Sequence, residues 1–129
     1  MGSGVEAKCR RCGTQFQANV GGGFFFEVLH CDACGRERSI SHGDLGNIHL
    51  GYIKGLGGPY AVARAEQDRL IQEQYKGDPL SREDYESEVE RFAGPCECGG
   101  AFRFEAPPRC PKCGSLEDEW EQTGSTMYD

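Results

Sequence analysis

The sequence predicts a small α+β protein made of two β-hairpin units, each stapled by cysteine, with a helical hairpin between them. Three observations carry this. The chain has 129 residues and eight cysteines, and segments of about 40 residues rarely hold a fold without metals, disulfides or a partner. The cysteines fall in four close pairs, Cys9/Cys12, Cys31/Cys34, Cys96/Cys98 and Cys110/Cys113, unlike the scattered spacing of a disulfide framework. Between the second and third pairs, residues 60–94 have the composition of helices.

The first unit is expected over residues 1–41. Residues 14–18 and 24–30 have strand-like composition, "NVGGG" between them supplies a turn, and "RERSIS" offers a third short strand. In "FFF", Phe25 should point opposite to Phe24 and Phe26. Residues 42–59 hold six glycines in 18 positions and read as a loop, because glycine is costly to order in a helix.

The connector is expected over residues 60–94. "YAVARAEQDRLIQEQY" has no breaker, and Ala63, Leu70 and Ile71 form its modest apolar stripe. A second helix opens at Ser81, with Asp84 three residues on approximating a capping box, and closes at Gly94-Pro95. Tyr85, Val89 and Phe92 share one of its faces. The second unit is expected over residues 95–122, with Phe102 and Phe104 on one side of "AFRFEA", and with Leu116 and Trp120 carried inward by a returning strand. Residues 123–129 read as a polar tail.

The net charge of −7 disfavours a general binder of phosphate backbones, whose affinity comes from lysine and arginine displacing counterions. The start has no apolar stretch resembling a secretion signal, and nowhere do about 18 apolar residues run together, so a reducing, cytoplasmic setting with no membrane span is expected. There, thiols in close pairs read as metal ligands. Four thiolates suit zinc, which takes sulfur in tetrahedral sites. A glycine follows every pair, at Gly13, Gly35, Gly99 and Gly114, where a metal knuckle needs left-handed backbone.

"CRRCG…CDACG" and "CECGG…CPKCG" resemble the knuckles of the zinc-ribbon superfamily. The resemblance covers roughly half of the chain and implies a metal-stabilised α+β fold, a double zinc ribbon with two structural Zn2+ ions. Each ion would be held between two knuckles across a β-hairpin, assigning Cys9, Cys12, Cys31 and Cys34 to one site and Cys96, Cys98, Cys110 and Cys113 to the other. The spacing agrees: 18 and 11 residues separate the pairs within each unit, against 61 between Cys34 and Cys96, and longer loops cost more to close. Cys96-Glu97-Cys98 departs from the pattern by one residue. Its tighter bite raises the question of a labile or redox-active dithiol. "CPKCG" also resembles a rubredoxin knuckle, which implies iron and electron transfer as an alternative.

No catalytic residue stands out. His30, His42 and His49 lack a paired motif and read as surface or packing residues, and "GNIHLGYIK" fails as a phosphate loop. Arg10, Arg11, Arg36 and Arg38 cluster near the first knuckles. They are read as offsetting thiolate charge, with nucleic-acid binding by a transcription- or translation-type ribbon as the alternative. The expected role is a non-catalytic adaptor or accessory subunit with a protein partner.

Overall fold

A computed structural model describes residues 2–23 and 25–128. Its chain divides into two compact units, one from residues 1–40 and 93–129, the other from residues 41–92. The two ends expected to fold separately therefore belong to one unit.

In that first unit the strands are β1 (Gly2–Cys9), β2 (Gln15–Val20), β3 (Phe26–Cys31), β4 (Glu37–Ser41), β5 (Phe102–Arg103) and β6 (Trp120–Tyr128). They form two three-stranded sheets, ordered β2-β1-β6 and β4-β3-β5. The anticipated strands over residues 14–18 and 24–30 exist, but they do not pair as a hairpin with each other. β2 folds back on β1, with Lys8 opposite Gln15 and Ser3 opposite Val20, so the Cys9/Cys12 knuckle is itself the hairpin turn. β3 lies beside β4 around the Cys31/Cys34 knuckle in the same way.

Two elements were not anticipated. β1 carries Gly2 and Gly4, which disfavour a strand by composition, yet it is the central strand and is paired on both edges. A Cβ at Gly2 would meet the Tyr128 ring at 2.2 Å, so that glycine makes room for a neighbour. The polar tail is also a strand: β6 runs antiparallel to β1 from Cys9↔Trp120 to Gly2↔Tyr128, with a register shift between Glu6 and Ala7. Its end is pinned where Tyr128 Oη donates to the carbonyls of Val20 and Gly21 at 3.1 and 2.7 Å and the ring stacks on Phe26. Ala7, Ala18 and Trp120 form the buried centre of this sheet, with Val5 and Phe16 against them. Trp120 is inward as expected, Leu116 is 39% exposed, and "SLEDEW" forms a 3-10 turn over Glu117–Glu119 before the strand begins. Phe25 is exposed, and Phe24 lies outside the described residues.

The second unit corrects the reading of residues 42–59 as a loop. Residues 42–54 form helices α1 (His42–Leu45) and α2 (Asn47–Lys54), while residues 55–59 are irregular as expected; α3 (Ala65–Gln74) and α4 (Arg82–Ala93) follow. Glycine in α2 and at its C-terminal end serves close approach: Leu80 N donates to Gly51 O, and a Cβ at Gly55, just past the helix, would lie 2.4 Å from Leu80 O. The expected hairpin of α3 against α4 is organised around α2. Tyr85 of α4 stacks on Tyr52 of α2 at 4.2 Å, and Gln72 of α3 donates to the carbonyls of Ile53 and Gly58. Tyr85 and Val89 are fully buried, whereas Phe92 and Leu70 are not. The buried residue of α3 is Asp68, which accepts from Tyr60 N and Ala61 N ahead of the helix. His42 and His49 stack at 3.7 Å inside this unit, edge-on to Tyr60.

Candidate metal centres

All eight predicted cysteines converge in two foursomes, but not as the local pairing expected. One is Cys9, Cys12, Cys110 and Cys113, and the other is Cys31, Cys34, Cys96 and Cys98, with all sulfurs of each within 4.8 Å of one another. The arrangement is nested: an inner site joins the second and third pairs, and an outer site joins the first and fourth. The reason lies in the strands. Because β2 and β3 lie in different sheets instead of pairing as one hairpin, the two N-terminal knuckles are not brought together, and each takes its partner from the C-terminal segment.

The four knuckles are variations of one loop. Cys9 N donates to Thr14 O and Gly13 N to Cys9 O; the same two bonds recur at Cys31 with Arg36 and Gly35, and at Cys110 with Ser115 and Gly114. At the short knuckle, Cys96 N donates to Gly100 O and Gly99 N to Cys96 O. Cys-x-Cys is thus the same turn with one residue removed. Gly13, Gly35, Gly99 and Gly114 all have φ between 74° and 95°, and every positive φ among the described residues belongs to glycine. Gly100 has a different task. A Cβ there would sit 2.6 Å from Cys31 Sγ and 2.8 Å from Ala33 Cβ, so the chain crosses the opposing knuckle where a side chain cannot pass.

The sulfurs fit a tetrahedral ion. Cys9–Cys113, Cys12–Cys110, Cys31–Cys98 and Cys34–Cys96 approach at 3.4, 3.5, 3.4 and 3.7 Å. Metal–sulfur bonds of about 2.3 Å place tetrahedral sulfurs about 3.8 Å apart, whereas a disulfide needs about 2.05 Å. Among the described residues all eight cysteines are free.

The surroundings of the two sites differ. In the outer site Cys9 Sγ lies 3.0 Å from the buried Ser115 hydroxyl, and Cys12 Sγ lies 3.1 Å from that of Thr14. Trp120 Nε1 donates to Ser115 O and holds it in place. The Ser115 hydroxyl brings the Cys9 thiol down to about 6, helped by the N–H groups of Cys12 and Arg11, and Thr14 lowers Cys12 likewise. Burial pushes Cys110 up. In the inner site burial raises Cys31, but N–H groups of Cys34 and Ala33 and the neighbouring thiols bring it down to about 6. Cys98 has the Gly100 N–H in its favour, yet three crowding thiols push it up to about 12. Four sulfurs this close cannot all ionise without a cation, so each foursome divides into thiolate and thiol members until one is bound.

The neighbouring charges are partly committed. Arg36 pairs with Glu97 at 3.2 Å. Arg38 donates to Ala93 O and lies over the Phe102 ring. Arg10 and Arg11 are exposed. His30, just before Cys31, is buried, with Nε2 3.8 Å from Glu37 Oε1, and burial lowers its pKa against the pull of that carboxylate. Among the described residues no helix is long and apolar enough to cross a membrane.

Residues 5–119 match a family described as a domain of unknown function, DUF8255. No curated protein and no solved structure gives a match.

Proposed function

The chain belongs to the DUF8255 family, and from its site geometry we propose that it is a non-catalytic double zinc-ribbon protein whose two Zn2+ ions hold together a protein-interaction adaptor or accessory subunit. The observation that carries this is the closure of both foursomes, which absorbs every cysteine and leaves no protein ligand position open. A closed four-thiolate zinc site supplies folding free energy, on the order of 10 kcal/mol. The chain's own contribution is to aim N–H groups and hydroxyls at the sulfurs, so that thiolate charge is satisfied before and after the ion binds. A reducing, cytoplasmic setting belongs to the same proposal, because eight unpaired thiols must survive until the metal arrives. Arg36 and Arg38 are engaged inside the first unit, which favours the adaptor over nucleic-acid binding.

Metal analysis with thiol counting, on protein purified without added metal, tests the reading. Two zinc ions per chain, with thiols unreactive until a chelator or mercurial is added, is the expected result. A red, iron-containing protein favours the electron carrier instead, and a disulfide between Cys96 and Cys98 overturns the closed inner site.

A further inference from the structure

The four knuckle glycines share a left-handed conformation but not an environment. A Cβ added at Gly13, Gly99 or Gly114 would meet nothing within 4 Å, whereas at Gly35 it would lie 2.4 Å from Arg109 Cβ, 2.6 Å from Arg109 Cγ and 2.9 Å from the backbone N of Arg109. Gly35 closes the Cys31/Cys34 turn of the inner site, its N–H donating to Cys31 O at 3.0 Å. Arg109 belongs to the other site, since it immediately precedes Cys110. The bare Cα of Gly35 is therefore a seat for the residue that leads into the outer site, where any side chain would hold the two apart.

Beyond that seat the Arg109 side chain turns to its own knuckle. Nη1 donates to Gly114 O at 3.2 Å, and Gly114 N donates to Cys110 O at 2.9 Å within the turn that carries Cys110 and Cys113. One side chain thus touches the closing glycine of both sites, its stem on the inner one and its head on the outer. Resting on the zinc reading above, the inner turn holds this shape when Cys31 and Cys34 share an ion, because both sulfurs are then fixed relative to the turn's backbone. We propose that Arg109 couples the two metal centres: the filled inner site presents Gly35 as a seat, the seated stem aims the guanidinium at the Gly114 carbonyl, and the clamped turn retains the outer ion more tightly. Its bond is to backbone and not to sulfur, which makes Arg109 a positioning residue.

The test uses the full chain loaded with cadmium-113, in which correlations between the metal and the cysteine β-protons read each site separately while a chelator is titrated in. Arg109→Met, which keeps the stem and removes the donor, should lower outer-site retention about tenfold, and Arg109→Lys should restore most of it. The coupling shows in a cycle: with the inner site disabled by Cys31→Ser and Cys34→Ser, Arg109→Met should cost the outer site no more than about twofold. Gly35→Ala should loosen the outer ion from its place in the inner turn. Gly99→Ala, at an inner-site glycine that also has positive φ but open space around it, should leave the outer ion as it is. Unchanged outer retention in Arg109→Met, an equal loss with and without the inner site, or the same outer loss from Gly99→Ala as from Gly35→Ala overturns the proposal. The Arg109 cycle decides by itself if Gly35→Ala does not fold. The zinc content of the untreated protein separates the two readings: two ions without this coupling overturns only the role of Arg109, and fewer than two overturns both.

Discussion

Single residues around the sulfurs divide into those that satisfy backbone shape and those that leave room. Gly13 has φ +74° with nothing within 4 Å of an added Cβ, so Gly13→Ala should cost only the left-handed strain of about 1–2 kcal/mol and keep both metals. Gly100→Ala places its methyl against Cys31 Sγ at 2.6 Å and should bring the metal content of the gel-filtered protein from two towards one. A second prediction concerns acid. Cys9 and Cys31 are held at about 6 against an ordinary 9.0. The native arrangement therefore binds fewer protons than the unfolded chain between those values. The stability these thiols contribute is complete above about 9 and is lost as the pH falls through about 6. Cys98, pushed to about 12, acts in the opposite sense above 9. A bound cation draws on all four thiolates and extends the plateau downward. Metal retention, followed with a coloured chelator, should be steady near pH 8 and fall steeply in acid.

Elements show why composition misled in the middle of the chain. Six glycines over residues 42–59 signal a loop if only the entropy of glycine is counted. Gly51 within α2 and Gly55 just past its end instead let the segment around Leu80 approach the helix backbone, and packing overrides propensity. Gly55→Ala and Gly57→Ala separate the two effects. The second has open space and should stabilise by about 0.4–1 kcal/mol through the unfolded state. The first meets Leu80 O at 2.4 Å and should lower the thermal midpoint. By contrast the helix opening at Ser81 was legible, because its cap is local: Ser81 Oγ accepts from Asp84 N at 3.2 Å. β6 was not legible. "EQTGSTMY" has no periodicity of its own, and it becomes a strand because β1 offers a free edge and Tyr128 finds Phe26 and two carbonyls at its end.

At the scale of the whole molecule, the nested order of the sites sets how they assemble. Pairing Cys34 with Cys96 rather than Cys12 with Cys31 closes 61 residues instead of 18, an extra cost of only about 1 kcal/mol because loop entropy grows logarithmically. Strand pairing between the two ends of the chain outweighs it, which is where the expectation of local pairing failed. Once the inner site closes, it bypasses the long middle segment and brings the outer pairs closer along the connected chain. Replacing Cys31 and Cys34 with serine should therefore weaken metal retention at the outer site, and replacing Cys9 and Cys12 should disturb the inner site less; chelator competition on each double variant measures both. The sequence by itself determined the four cysteine pairs, the knuckle glycines, the closing of each turn and the start of α4, because these depend on residues a few positions apart. Only the tertiary structure decided which knuckles come together, that residues 47–54 within the glycine-rich stretch form a helix, and that the last strand completes the first sheet. Those outcomes depend on contacts between residues up to 126 positions apart, as Gly2 and Tyr128 are, and no local pattern encodes the strand edge or the packing surface that selects them.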